Sequence, residues 1–504
     1  MGLTLIISLA FAISSALQAG WNIGVTNLPE VYIKCWIDIA KFNTNFSSTK
    51  WADVCSDPNN MPDLTEATKF WSLCVSIFAV GAMFGSFMGA PLADYLGRKW
   101  GLFTNAIFGI ISVIICACCR KSDNVYLFLA GRILVGINAG INCSIAPVYN
   151  IEIAPLNQRG RFGTLFQLGV TGGSVLSNIF GLKWLLGTND LWPYLILLGM
   201  FPSVLQIILV VLVPESPLYL DNLKKYDDAD KNRIKLYGEN YKDDPNIVIN
   251  QHMKLNDEIG SDDDYDEIRS PKRLGVIDSL KAIFTENGLR NAIVCSSILM
   301  VIQQFCGINA IVFYSTSIFE EAGIDSEWSG LTTVGLGIFK WSFLWVALWL
   351  IEKSGRRFLM LAGCAMMCIM CVATTVLLHF LDTEGESEDS NDVLAYISIV
   401  PVFIYVMGFE LGPGPIPWMI TNEFVPSTYK AGGQAVCSFV NWTGAFIIGL
   451  IFEPLQEAIS EYVFLIFGVV CAVGFVYIYF RMPETKGRPI DEIQRDFEER
   501  TSCL

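Results

Sequence analysis

Residues 303–314 read Gln303-Gln304-Phe305-Cys306-Gly307-Ile308-Asn309-Ala310-Ile311-Val312-Phe313-Tyr314, within a run, 290–317, that is otherwise apolar enough to cross a bilayer. Two adjacent carboxamides and a third five residues on are costly in hydrocarbon unless they face a polar ligand or a wet cavity. A carboxamide offers donor and acceptor without charge, which suits a ligand built of hydroxyls. The stretch reads as one wall of a polyhydroxyl site at membrane depth.

The rest of the chain supplies the membrane setting. Of its 504 residues 53% are hydrophobic and 16% charged, and the mean hydropathy is +0.46. Apolar runs of spanning length recur at roughly 4–27, 69–91, 100–119, 125–148, 162–182, 190–213, 290–317, 329–351, 357–381, 394–420, 431–453 and 462–481. At about 1.5 Å per residue each crosses a hydrocarbon core of about 30 Å. An all-α membrane protein of twelve transmembrane helices is expected. The first run is as long as a full span and lacks a basic leader, so no cleavable signal peptide is expected.

Charge placement orients these spans. Arg98 and Lys99, Arg159 and Arg161, and Lys353, Arg356 and Arg357 fall in short loops on one side, while Asp382, Glu384, Glu386, Glu388, Asp389 and Asp392 crowd the other. The positive-inside rule then puts both termini in the cytosol and the long first loop, 28–68, outside. Asn45-Phe46-Ser47 in that loop is an N-glycosylation sequon. Cys35 and Cys55 share the loop and can form a disulfide there; two free thiols are the alternative. Most of the fifteen cysteines lie in apolar spans. The cluster Cys116, Cys118, Cys119 has no histidine or acid near it and reads as packing, with no metal site expected. The net charge of −15 argues against a nucleic acid partner.

The chain repeats itself. Asp94-Tyr-Leu-Gly97-Arg98-Lys99 returns as Glu352-Lys-Ser-Gly355-Arg356-Arg357; Glu152 with Arg159 returns as Glu423 with Lys430; Pro214-Glu215-Ser216 returns as Pro483-Glu484-Thr485. The offsets are 258, 271 and 269 residues. Two pseudo-symmetric six-helix halves follow, 1–214 and 288–483, joined by a cytosolic linker of short helices at 215–287 and followed by a short cytosolic tail, 484–504. Parallel repeats of this kind hold a substrate near the midplane and rock about it. Ser502-Cys503-Leu504 has the spacing of a PDZ ligand, a weak partner signal because chance often produces it.

From Gln18 to Arg488 the chain resembles the sugar-porter branch of the major facilitator superfamily, and within it the animal facilitative glucose transporters. The resemblance is carried by Gly131-Arg132, Pro147-x-Tyr149, Glu152 with Arg159-Gly160, Gly163-Thr-Leu-x-Gln167, Pro214-Glu-Ser-Pro217, Gln303-Gln304-x-x-Gly307-Ile-Asn309, Phe409-Glu410-x-Gly412-Pro-Gly-Pro-Ile-Pro417-Trp418, Asn441-Trp442-Thr443 and Pro483-Glu-Thr-Lys-Gly-Arg488. It implies equilibrative hexose uptake, with D-glucose as the expected sugar, across the plasma membrane, and no cofactor. It assigns the sugar contacts to Gln167, Gln303, Gln304, Asn309, Glu410 and Trp418, the indole stacking on a pyranose face. It also implies a cytosolic gate of ion pairs between the halves, made by Arg98, Glu152, Arg159, Glu352, Arg356, Arg357, Glu423 and Lys430.

Three departures bear on mechanism and specificity. Proton-coupled sugar porters carry an aspartate in span one where this chain has Asn22, and an amide does not titrate near neutral pH. No phosphate-binding loop of the G-x-x-x-x-G-K-[ST] type is present, so passive uniport is expected over ATP-driven transport. Second, Lys340 stands where relatives have an asparagine among the sugar contacts. At mid-span it is expected to face the cavity, pair with Glu410 or lose its proton. Met300-Val301-Ile302 replaces the Gln-Leu-Ser associated with glucose preference, which leaves glucose and fructose both open. A proton-coupled sugar symporter and a sugar sensor without transport are the alternatives; no catalytic constellation suggests an enzyme.

Overall fold

The computed structural model describes residues 3–42, 65–155, 158–239, 241, 281–283, 285–308, 326–383, 388–426 and 429–502. The first half is built from α1 (Leu3–Gly24), the short α2 (Glu30–Ile37), α3 (Thr65–Tyr95), α4 (Arg98–Ala117), α5 (Val125–Glu152), α6 (Arg159–Phe180) and the pair α7 (Trp192–Leu198) and α8 (Phe201–Leu209). Two short helices follow, α9 (Pro217–Asn222) and α10 (Tyr226–Tyr237). The second half comprises α11 (Asn287–Phe305), α12 (Ser326–Ser354), α13 (Arg356–Thr383), α14 (Glu388–Leu411), α15 (Ile416–Phe424), α16 (Lys430–Ile459) and α17 (Val463–Arg481), with α18 (Ile490–Ser502) after it.

Among the described residues nine spans are long and apolar enough to cross a membrane. The expected spans outside that set are α6, α11 and the pair α14–α15. Gln167 lies on the first, Gln303 and Gln304 on the second, and Glu410 and Trp418 on the third.

Local sequence explains where the helices start, stop and break. Asn124 caps α5 by accepting from the Tyr126 and Leu127 amides at 3.0 and 3.2 Å. The turns before α4 and α13 use Gly97 and Gly355 at φ 92° and 83°, and a Cβ on either would press on Glu215 or Glu484. The sixth expected span, 190–213, is two helices rather than one, because Pro202 in the first turn of α8 cannot donate to the preceding turn. The tenth breaks at Gly412-Pro413-Gly414-Pro415, as that composition predicts.

Within the first half α3 and α5 approach backbone to backbone. A Cβ on Gly81 or Gly85 would lie 2.2 or 2.1 Å from the Ile133 or Ile137 carbonyl oxygen. The Gly81-x-x-x-Gly85-x-x-x-Gly89 run is thus a close-packing face. Between the halves α3 packs on α16 and α6 on α12, with Ser86 Oγ donating to Ser438 Oγ at 3.0 Å across the seam.

Candidate functional site

The break in the tenth span frees backbone carbonyls at membrane depth, and these need donors. Gln303 supplies them: its Nε2 donates to Pro413 O at 2.9 Å and to Gly414 O at 2.6 Å. Its Oε1 accepts from Asn441 Nδ2 at 2.7 Å, and Asn441 Oδ1 accepts from Gln304 Nε2 at 3.1 Å. The amides of α11 and α16 thus form one relay that ends on the broken helix. Gln303 and Asn441 are buried, while Gln304 is partly open. From the other half comes Gln167, buried yet without a hydrogen bond among the described residues. Beside it Phe166 packs on Trp418, ring centroids 5.2 Å apart, so α6 meets α15 at mid-depth.

Lys340 pairs with Glu410, Nζ to Oε1 at 3.3 Å, and lies 5.2 Å from the Phe409 ring centroid. Of the three states open to Lys340 from sequence, the structure has this one. Glu410 is fully buried against the break, and among the described residues its carboxylate has the Lys340 ammonium as its charged partner. The pair therefore rests on charge attraction at short range. The lysine side chain is 21% exposed.

At one end of the bundle the repeated motifs fold into the same structure twice. Arg98 grips Glu152 through Nε and Nη2 at 3.0 and 2.9 Å, and its Nη1 donates to Ala93 O at 3.1 Å. Arg356 grips Glu423 through the same atoms at 3.2 and 2.9 Å, and its Nη1 donates to Ile351 O at 3.2 Å. Glu215 accepts the Arg98 and Lys99 amides; Glu484 accepts those of Arg356 and Arg357. Burial pushes the Glu215 carboxyl above its ordinary range, against the backbone donors that favour its charged form.

This geometry corrects one expectation. The bidentate pairs do not bridge the halves; each closes within its own half. What crosses is an amide-to-carboxylate contact, Arg161 N to Glu352 Oε1 at 3.1 Å, where the positive N-terminal end of α6 meets an acid that also flanks Arg356 at 3.5 Å. Arg159 is half-buried, with Glu423 and Glu152 as charged neighbours, and among the described residues makes no direct ion pair with either. Lys430, 1% exposed, stands among the same charges at the start of α16.

A family model described as "Sugar (and other) transporter" matches residues 7–497. The chain belongs to the sugar transporter family. It is 34% identical over 502 residues to the human solute carrier family 2, facilitated glucose transporter member 4, covering 99% of this chain and 92% of that protein. The proton:xylose symporter XylE bound to 6-bromo-6-deoxy-D-glucose matches at TM-score 0.75 and 21% identity, over 98% of this chain and 99% of that one. An inward-open form of XylE from E. coli matches at 0.65 and 20% identity, over 97% and 98%. This likeness gives the transporter the twelve-helix major facilitator fold.

The sequence reading of the transporter missed three groups. Glu215 and Glu484 were visible as Pro-Glu-Ser and Pro-Glu-Thr at matching offsets, yet their task, holding the backbone of the opposing turn, needs the fold. Asn441 was quoted only within Asn441-Trp442-Thr443; that it joins Gln303 to Gln304 follows from packing 138 residues apart. Asn309, the Asn45 sequon and Cys55 lie outside the described residues. Cys35 is disulfide-bonded.

Proposed function

We propose that this sugar transporter is a facilitative hexose uniporter of the plasma membrane, with D-glucose as its principal substrate. It works by alternating access with both termini cytosolic. The sugar binds between Gln167 and Trp418 on one side and the Gln304–Asn441 relay on the other, with Asn309 completing the set. Carboxamides exchange hydrogen bonds with hydroxyls at no net charge, and the indole covers a pyranose face.

The observation that carries passive transport lies in the first half. Arg132 is buried, and its Nη1 donates to the backbone oxygen of Asn22 at 3.0 Å; the residue at that place is an amide rather than an acid. Without a carboxylate there, the pair has no proton to exchange as the halves rock. Identity points the same way, being 34% to a facilitated glucose transporter and 21% to a proton:xylose symporter.

The Arg161–Glu352 contact across the halves supports a conformation shut at the charged end. Likeness to the sugar-bound symporter, 0.75, exceeds that to its inward-open form, 0.65. Opening inward then requires the Arg161–Glu352 contact and the α3–α16 seam to part while each half keeps its own ion pairs. Radiolabelled D-glucose uptake into proteoliposomes, with fructose, galactose and mannose as competitors, tests the reading. Saturable flux that equilibrates and ignores an imposed proton gradient is expected. Accumulation against the sugar gradient would make it a symporter, and binding without flux a sensor.

A further inference from the structure

A groove of about 240 Å³ opens on the outer face of the second half, between α11, α16 and the short stretch before α11. Ile283, Val294, Ile298, Val301 and Val436 form its walls. Val294 and Val301 are 48% and 37% exposed, seven residues apart on one face of α11. In a membrane span an exposed apolar face meets lipid. The volume falls below the ~300 Å³ at which pockets begin to engulf a whole small ligand, so it suits a length of flexible chain lying along the helices.

What distinguishes this groove from ordinary lipid-facing surface is the cation in its lining. Arg290, in the first turn of α11, donates through Nη2 to Asn287 Oδ1 at 2.8 Å, and among the described residues it makes no ion pair with a carboxylate. Glu286 takes the Tyr429 hydroxyl at 3.5 Å, and Glu498 lies against Gly288, where α18 docks. That docking, with Asn291 Nδ2 donating to Phe497 O at 3.1 Å, puts the start of α11 at the charged end of the bundle. A guanidinium is a bidentate phosphate ligand, and basic pockets between transmembrane helices on the cytosolic side suit anionic headgroups.

We infer that this groove is a binding site for an anionic glycerophospholipid, its phosphate held by Arg290 and one acyl chain lying in the valine–isoleucine cleft. The inference rests on the cytosolic orientation proposed above for the charged end. Because the site joins α11, which carries Gln303 and Gln304, to α16, which carries Asn441, a lipid seated there braces the helices that form the amide relay.

The test is native mass spectrometry of the full-length transporter released from detergent containing phosphatidylglycerol or phosphatidylcholine, alongside hexose uptake in liposomes of each composition. Phosphatidylglycerol should stay bound in preference. Arg290→Gln should weaken its retention about fivefold, the equivalent of one basic residue near an anionic surface, and Arg290→Lys should keep most of it. Val294→Trp, a change on a lipid-exposed position, should fill the cleft and displace both lipids. Equal retention of the two lipids, or retention indifferent to Arg290→Gln, would overturn the site. The binding readout needs no sugar flux, so its failure is separable from failure of the uniport reading, which uptake alone reports.

Discussion

At the charged end Arg98 and Arg356 repeat one another bond for bond, down to the carbonyl each touches five residues earlier. At mid-span the repetition fails. The 271-residue offset that relates Glu152 to Glu423 sets Glu410 against Ala139 and Trp418 against Pro147. The two halves share the device that shapes their helix ends but divide the polar cluster unequally, most of it falling in the second. A duplicated feature that survives in both copies serves the mechanics both halves perform. A feature present in one copy serves something the halves do not share, and a ligand with two different faces is such a thing.

The largest effect should come from breaking the repeated device. Arg356→Ala leaves Glu423 buried without its cation, a loss of about 3–5 kcal/mol for a buried pair. Thermal unfolding in detergent should fall sharply and uptake should vanish. Arg98→Ala should do the same through Glu152, because the geometry is the same. If one variant is tolerated and the other is not, the halves are not mechanically equivalent and the comparison breaks.

Next in size is Gln303→Leu. It strips donors from the Pro413 and Gly414 carbonyls, each such buried orphan costing about 1–3 kcal/mol. Both melting temperature and transport should drop. Gln167→Leu sharpens the contrast, since among the described residues this amide has no hydrogen-bond partner to lose. Its stability should hold while the KM for D-glucose rises about tenfold, the scale of one hydrogen bond. A destabilised Gln167→Leu with unchanged KM would move Gln167 from the ligand side to the scaffold.

Much of this was legible before the fold. The motif repeats announced two halves. The amides of the seventh span announced a polar site at membrane depth, and Gln167 was named with them. What could not be read is the division of labour inside the cluster. Sequence marks Gln303 and Gln304 alike, yet Gln303 is spent on backbone carbonyls 110 residues away, and only packing reveals the debt that a broken helix leaves. The gate shows the same limit. Alternating acids and bases say that ion pairs form, but not that each guanidinium turns inward to its own half and leaves the crossing to the Arg161 amide.

The smallest expected effect concerns Lys340 and Glu410, the pair that departs from relatives. Lys340→Met should weaken transport because Glu410, fully buried, loses the charge that balances it. Glu410→Gln alone should leave the ammonium beside the Phe409 ring with no counter-charge, a milder loss because part of the lysine reaches open space. The double variant removes both charges and should recover most of the activity. The coupling between the two changes should fall in the range of about 0.5–3 kcal/mol typical of contacting residues. Additive losses would mean that Lys340 acts on the sugar independently of Glu410. In that case the asymmetry between the halves would include a cationic sugar contact, rather than a neutral pair that steadies the break.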